Sequence, residues 1–448
     1  MTLTSIYSPQ VRTVLDNGIT VLVWENPAAD IIAARIFIRA GSRWETTHQA
    51  GLSHLLSTVI TKGTETLSSL EIAERVETVG ASLSADSTTD YFLLSLKTVS
   101  ADFEEILSLA GELLRSPTFP QAEIELERRL TIQAIRSQQE QPFTVAFDQL
   151  RQIMYREHPY ALSGLGTEEA VARLSQEDLV NFHRTHFRPD NMVISLSGRI
   201  DPDTAIDLVN RVFGDWYPPK DPLPSLTLPA VASNPVRAAI AQETQQSIVM
   251  LGYLAPPVGS PTMQASDTQV FSHSSSVFYP DSLKDYVALK LLNSYLGNGL
   301  SSRLFVELRE KRGLAYEVSA FYPTRLDPAQ FVVYMGTAPE NTAIAVEGLQ
   351  TEVDRLRHHL LDPEDLQAAK NKVLGQYALG KQTNAQIAQI YGWYETLGLG
   401  IEFDHHFQEQ VTIVSAEDTQ AVAQRYLVEP YVSLVGPSTV VKGLVDPL

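Results

Sequence analysis

GLSHLLSTVITKGT, residues Gly51 to Thr64, is the stretch on which the reading of this chain turns. Leu52, Leu55, Leu56, Val59 and Ile60 fall at i, i+3, i+4, i+7 and i+8, the spacing of an amphipathic helix with one buried stripe. His54 and Thr58 then share a face. A neutral imidazole is a good zinc ligand and a threonine hydroxyl a poor one, and a catalytic zinc takes three protein ligands plus an open position. Ser57, between them, cannot replace a carboxylate that accepts a proton from metal-bound water. On these residues alone, His54 reads as a partly buried helix histidine without a metal.

Three other stretches carry as much information. Glu125 to Ala134 reads ELERRLTIQA, His158 to Val171 reads HPYALSGLGTEEAV, and Leu296 to Tyr316 reads LGNGLSSRLFVELREKRGLAY, running on into EVSAFY. Together with Gly51 to Thr64 they resemble the signature segments of the pitrilysin/insulinase family of zinc peptidases, of the mitochondrial-processing-peptidase-like kind, and the resemblance extends over nearly the whole chain. That family carries H-x-x-E-H on the first helix, two zinc ligands and a general base. The resemblance puts Ser57 at the glutamate, Thr58 at the second histidine and Ala134 at the glutamate that is the third ligand. Glu127 keeps the family's supporting carboxylate. Two of three ligands and the base are absent, which implies a non-catalytic chain with no zinc of its own.

The second signature is retained. Within it Arg309 and Tyr316 stand seven residues apart, and in related peptidases an arginine and a tyrosine at that spacing bind the peptide beside the zinc. The resemblance implies that these two form a substrate-binding pair. A guanidinium donates to peptide carbonyls, and a phenol can donate to a developing oxyanion. As bare residues, Arg-Glu-Lys-Arg is equally an ordinary solvated helix end, and Tyr316 at a strand start could be core.

The remaining histidines offer no second metal set. His183 and His186 are i, i+3 on a helix, and His358–His359 and His405–His406 are adjacent pairs, which do not share a helix face. They read as surface or core histidines.

Composition sets the frame. At 448 residues the chain is too long for one ordinary core, and two domains are expected. The absence of cysteine excludes disulfide and thiol chemistry. A net charge of -19 argues against nucleic acid and anionic lipid as partners. No stretch approaches the ~20 apolar residues of a membrane span, and the first residues lack a charged-then-apolar leader, so a cytoplasmic protein is expected.

An internal repeat supports two halves. Leu174 to Gly198 and Val414 to Gly436 each read as a Ser-capped helix with acidic residues in its first turn, then a Pro-marked turn, then a strand ending at glycine. Between them, residues 216–235 (WYPPKDPLPSLTLPAVASNP) form a proline-rich extended linker. The expected division is 1–215, linker 216–235 and 236–448. Thr13 to Glu25 reads as a hairpin turning at Asn17-Gly18, Ile32 to Arg39 and Tyr91 to Thr98 as strands, and Ala101 to Arg115 and Gln121 to Gln139 as helices. The class is α+β: two homologous domains, each a mainly antiparallel sheet with helices packed on one face, which in the resembled family form half of a clamshell cavity. Gly259 to Asp281, rich in serine and threonine, reads as an inserted surface loop.

Two functions follow from this reading. One is the substrate-binding subunit of a heterodimeric zinc metalloendopeptidase, whose homologous sister chain holds H-x-x-E-H and the zinc. The other is a peptidase-like scaffold with no proteolytic role.

Overall fold

The computed structural model describes residues 11–258, 281–441 and 443; residues 259–280 of the expected insertion lie outside them. Eleven strands are formed among the described residues: β1 (Val11–Val14), β2 (Thr20–Glu25), β3 (Ile31–Ile38), β4 (Ser82–Ser87), β5 (Phe92–Val99), β6 (Met192–Gly198), β7 (Arg237–Ala241), β8 (Ser247–Ala255), β9 (Glu317–Phe321), β10 (Ala329–Thr337) and β11 (Tyr431–Gly436). The main helices are α1 (Leu52–Val59), α2 (Ser69–Thr78), α3 (Phe103–Arg115), α4 (Gln121–Gln139), α5 (Pro142–Tyr155), α6 (Glu168–Arg173), α7 (Gln176–His186), α8 (Pro202–Phe213), α9 (Asp281–Gly297), α10 (Thr342–His358), α11 (Pro363–Leu379), α12 (Asn384–Thr396), α13 (Phe403–Ile413) and α14 (Ala416–Tyr426). The expected hairpin, early strands and helices all form, with ends shifted by a residue or two. No helix among the described residues is long and apolar enough to cross a membrane.

The strands build two sheets, ordered β1-β2-β6-β3-β5-β4 and β7-β11-β8-β10-β9. Without β1, the first sheet has the topology of the second, strand for strand. In each, one parallel pair (β2 with β6, β7 with β11) joins otherwise antiparallel neighbours. The repeat seen in sequence is the end of this unit. α7 and α14 both open on a reciprocal capping box, Ser175 with Asp178 and Ser415 with Asp418, and each leads into the strand that completes the parallel pair, β6 or β11.

The units are not the two continuous halves of the sequence. The first comprises residues 1–136, 162–228 and 378–403, the second residues 137–161, 229–377 and 404–448. One break, between Leu228 and Pro229, falls inside residues 216–235; α5 belongs to the second unit and α12 to the first. These are equivalent helices of the repeat, and the two halves have exchanged them.

Packing shows why. In the first unit Ile32, Ala34, Ile36 and Ile38 of β3 point to one face, where α1, α3, α7 and α8 bury Leu55, Leu56, Ile106, Leu179 and Val209 against them. Of the alternate residues Ala33 and Phe37 are apolar and wholly buried, and α12 packs on this face: Trp24 of β2 stacks on Tyr391 with ring centroids 4.1 Å apart, and Arg39 donates to the carbonyls of Glu395 and Thr396. In the second unit α5 places Ala146, Leu150 and Met154 on Ile248, Met250 and Val332. Each exchanged helix meets its sheet at a glycine. A Cβ on Gly392 would lie 2.4 Å from the Phe37 ring, and one on Gly252 2.7 Å from Met154 Sδ. A sheet apolar on both faces needs a helix on each.

Candidate functional site

α1 starts at Gly51 with φ +97, and a Cβ there would lie 2.5 Å from the Leu165 carbonyl oxygen. The Glu45 carboxylate closes the helix start, accepting from the N–H groups of Gly51 at 2.8 Å and Ser53 at 2.6 Å. Burial pushes the Glu45 carboxyl up to about 7, although these hydrogen bonds favour its ionised form.

His54 is half-buried on the exposed edge of α1. Burial lowers its imidazole below the ordinary range, while the nearby carboxylates of Asp86 and Glu127 act the other way. Its neighbours offer little to a metal. Ser57, 3% exposed, donates its hydroxyl to the His54 carbonyl at 2.7 Å, and Thr58 donates to the Leu55 carbonyl at 2.9 Å. Both hydroxyls are turned back onto their own helix. Ala134 on α4 has no donor atom. Glu127, also on α4, pairs with Lys62 at 3.5 Å. A zinc ion would find one imidazole and one carboxylate already held by an ammonium, and the donor set does not fit it. Among the described residues no three of His, Cys, Asp and Glu converge as ligands. Beside this helix, Lys62, Thr64, Ser68, Leu70, Pro120 and Glu123 help to line an open groove of about 800 Å³.

Among the described residues the other histidines fall on the surface or in packed interior. His183 Nε2 lies 2.9 Å from the Leu114 carbonyl, and His186 is buried between Phe182 and Trp44. Desolvation lowers both imidazoles to about 4. His358, His359 and His405 are exposed.

The retained signature lies in the second unit. From Phe305 to Lys311 the backbone is wound as a π-helix, and Arg309 is part of it. Such i→i+5 turns are uncommon and recur at functional sites. The segment ends on Gly313 at φ +63, whose N–H donates to the Arg309 carbonyl at 3.1 Å while that of Leu314 donates to the Leu308 carbonyl at 2.9 Å. The first is the single 5→1 bond of an αL cap, and the second reaches back one residue further than a Schellman bond would. Inward, Leu304 and Leu308 are wholly buried; outward, Arg309 is exposed, its guanidinium 4.8 Å from the Phe305 ring centroid. Tyr316 is held by its backbone, donating to the Gly336 carbonyl at 3.0 Å, and its side chain is 69% exposed. Tyr316 is therefore not core, and Arg309, though laid over Phe305, stays exposed.

Sequence reasoning did not anticipate the π winding, the Glu45 cap or the pairing of Lys62 with Glu127. The cap was open to discovery, since Glu45 is an acidic residue shortly before a helix that has no Ser, Thr, Asp or Asn at its first position.

Comparison with known proteins follows the same outline. A family model described as "Insulinase (Peptidase family M16)" matches residues 20–168, and one described as "Peptidase M16 inactive domain" matches residues 173–373. The chain belongs to the M16 family of peptidases. It is similar to an "uncharacterized zinc protease" of Streptomyces coelicolor, 25% identical over 437 residues covering 95% of this chain and 89% of the relative. The "uncharacterized zinc protease YmxG" of Bacillus subtilis is 26% identical over 429 residues, covering 95% of this chain and 98% of the relative. Among solved structures, the fold is shared with a Pseudomonas fluorescens "peptidase M16 inactive domain" at TM-score 0.84 and 22% identity, covering 98% of this chain and 99% of that one. It is also shared with "a protease from Helicobacter pylori" at TM-score 0.85 and 20% identity, covering 96% and 99%. The residues of the degenerate α1 fall within the insulinase match, and Arg309 and Tyr316 within the second.

Proposed function

We propose that this chain is the non-catalytic, substrate-binding subunit of a heterodimeric zinc metalloendopeptidase. A homologous sister chain carrying H-x-x-E-H supplies the metal and the base; this chain supplies Arg309 and Tyr316, which hold the peptide. The observation that carries the reading is a contrast between two sites in one molecule. Around His54 the hydroxyls of Ser57 and Thr58 are spent on helix carbonyls, whereas Arg309 and Tyr316 are presented to solvent by a backbone closed at Gly313 and Gly336. An arginine and a tyrosine left exposed on a fixed frame suit recognition of a peptide backbone.

The same contrast weighs against a pure scaffold, for which an outward tyrosine and an uncommon helical winding serve no end. Co-expression with an M16 chain that retains H-x-x-E-H tests the proposal. A 1:1 complex by light scattering that cleaves an unstructured peptide, with neither chain active alone, is the expected result. Full activity from the sister chain by itself would overturn it.

A further inference from the structure

The π-helix is clamped from outside by one carboxylate. Glu352 on α10 is 3% exposed. Its Oε2 accepts from Arg303 Nε at 2.8 Å, and its Oε1 lies 3.8 Å from Arg312 Nη2. Arg303 stands just before the π segment and Arg312 just after it, nine residues apart. In an α-helix of 3.6 residues per turn, residues nine apart are two and a half turns apart and face opposite ways. Wound i→i+5, at about 4.4 residues per turn, the same two come round to nearly the same face. The wider winding between them brings both guanidinium groups toward the side from which the one buried carboxylate reaches them.

α10 is shaped for this contact. Gly348, one turn before Glu352, lies under the segment, and a Cβ there would be 3.0 Å from Leu308 Cδ2. Glu307 adds a second tie on the segment itself, pairing with Arg303 at 3.3 Å and Lys311 at 2.7 Å.

We infer that Glu352 is a positioning residue for peptide recognition: by bridging Arg303 and Arg312 it selects the π register and so fixes the direction in which Arg309 points. Relaxation to an α register would turn Arg309 about the segment axis by a large fraction of a right angle, since each of the residues between Phe305 and Arg309 would advance by roughly 18° more. The inference rests on the peptide-binding reading of Arg309, and its test has one arm independent of that reading.

The first arm is amide hydrogen exchange on the full chain carrying Glu352→Gln or, as a variant that changes a partly exposed side chain, Arg312→Gln. Protection of the Gly313 and Leu314 amides should fall by about tenfold or more, with that of β8 and β10 unchanged. Unaltered protection at Gly313 and Leu314 in Arg312→Gln overturns the clamp, whatever the fate of the Glu352 variant. The second arm measures anisotropy of a fluorescein-labelled unstructured peptide. Arg309→Ala and Glu352→Gln should each weaken binding by about tenfold, and the double variant no more than Arg309→Ala alone, because Glu352 acts through Arg309. Additive losses overturn the positioning role. If Arg309→Ala binds as wild type, the peptide-binding reading itself fails, and the exchange arm still decides whether Glu352 sets the register.

Discussion

The first unit should respond to acid chiefly through three strongly shifted groups whose effects oppose one another, with His54 lowered in the same direction as the other two histidines. His183 and His186 are lowered from 6.5 to about 4, so the unfolded chain takes up protons that the folded one refuses; their contribution is present above pH 6.5 and is lost as pH falls toward 4. Glu45 is raised from 4.5 to about 7, so the folded chain holds a proton the unfolded one releases; its contribution is present below pH 4.5 and is lost as pH rises through 7. Between pH 7 and pH 5, linkage makes each histidine cost about 2 kcal/mol and lets Glu45 return about 2 kcal/mol. The net is a loss of about 2 kcal/mol, trimmed somewhat because His183 and Glu45 keep part of their surface in solvent. The assay is already in the molecule. All four tryptophans, Trp24, Trp44, Trp216 and Trp393, lie in the first unit, so urea unfolding followed by tryptophan fluorescence reports that unit. Glu45→Gln should steepen the loss from pH 7 to pH 5 to about 4 kcal/mol. A His183→Gln/His186→Phe variant should reverse its sign and gain about 2 kcal/mol on acidification. If the double histidine variant loses stability between pH 7 and pH 5 as the wild type does, the assignment of the acid response to these buried imidazoles is wrong.

Other outcomes are as direct. Metal analysis of the isolated chain should find no stoichiometric zinc, and His54→Ala should leave that result unchanged; zinc retained by wild type and lost by the variant would contradict the fit argument. In the assembled complex, Arg309→Ala or Tyr316→Phe should lower peptide turnover by on the order of 100-fold at constant zinc content, and wild-type turnover from the doubly substituted complex would leave only the scaffold reading. Gly392→Ala should cost the first unit about 1–3 kcal/mol, because the added methyl meets Phe37 and Ser195 with no room to move; an unchanged urea midpoint by tryptophan fluorescence would show that α12 does not pack as described.

Local pattern made much of this molecule legible. The Leu52-to-Ile60 stripe, the Asn17-Gly18 turn and the two Ser-capped helices are short-range signals, each contained within a dozen or so residues, and each forms where expected. The exchange of α5 and α12 is invisible at that range. Their apolar faces say that something is buried, and only three-dimensional packing decides against which sheet. The same limit applies to Arg309. Its place in a signature was readable, but the π winding depends on Glu352, more than forty residues away, and no periodicity in Phe305–Lys311 announces it. At His54 the losses could be read residue by residue; that Ser57 and Thr58 turn inward to helix carbonyls is a matter of rotamers, which sequence does not specify.

The exchanged helices bear on how the chain is made. Synthesis runs from the N-terminus at about 5–20 residues per second, and the sheet of the first unit is complete in strands once β6 has emerged at Gly198. Its second face, with Trp24 and Phe37, has to wait for α12, which begins at Asn384, so most of the second unit, residues 137–161 and 229–377, is translated first. During that interval the nascent sheet displays a bare apolar surface, a natural client for a chaperone. The linker at 216–235, the obvious place to cut the gene in two, would yield fragments each lacking the helix its own sheet requires and each carrying the helix the other needs. Expressed apart they should be insoluble; expressed together they should complement.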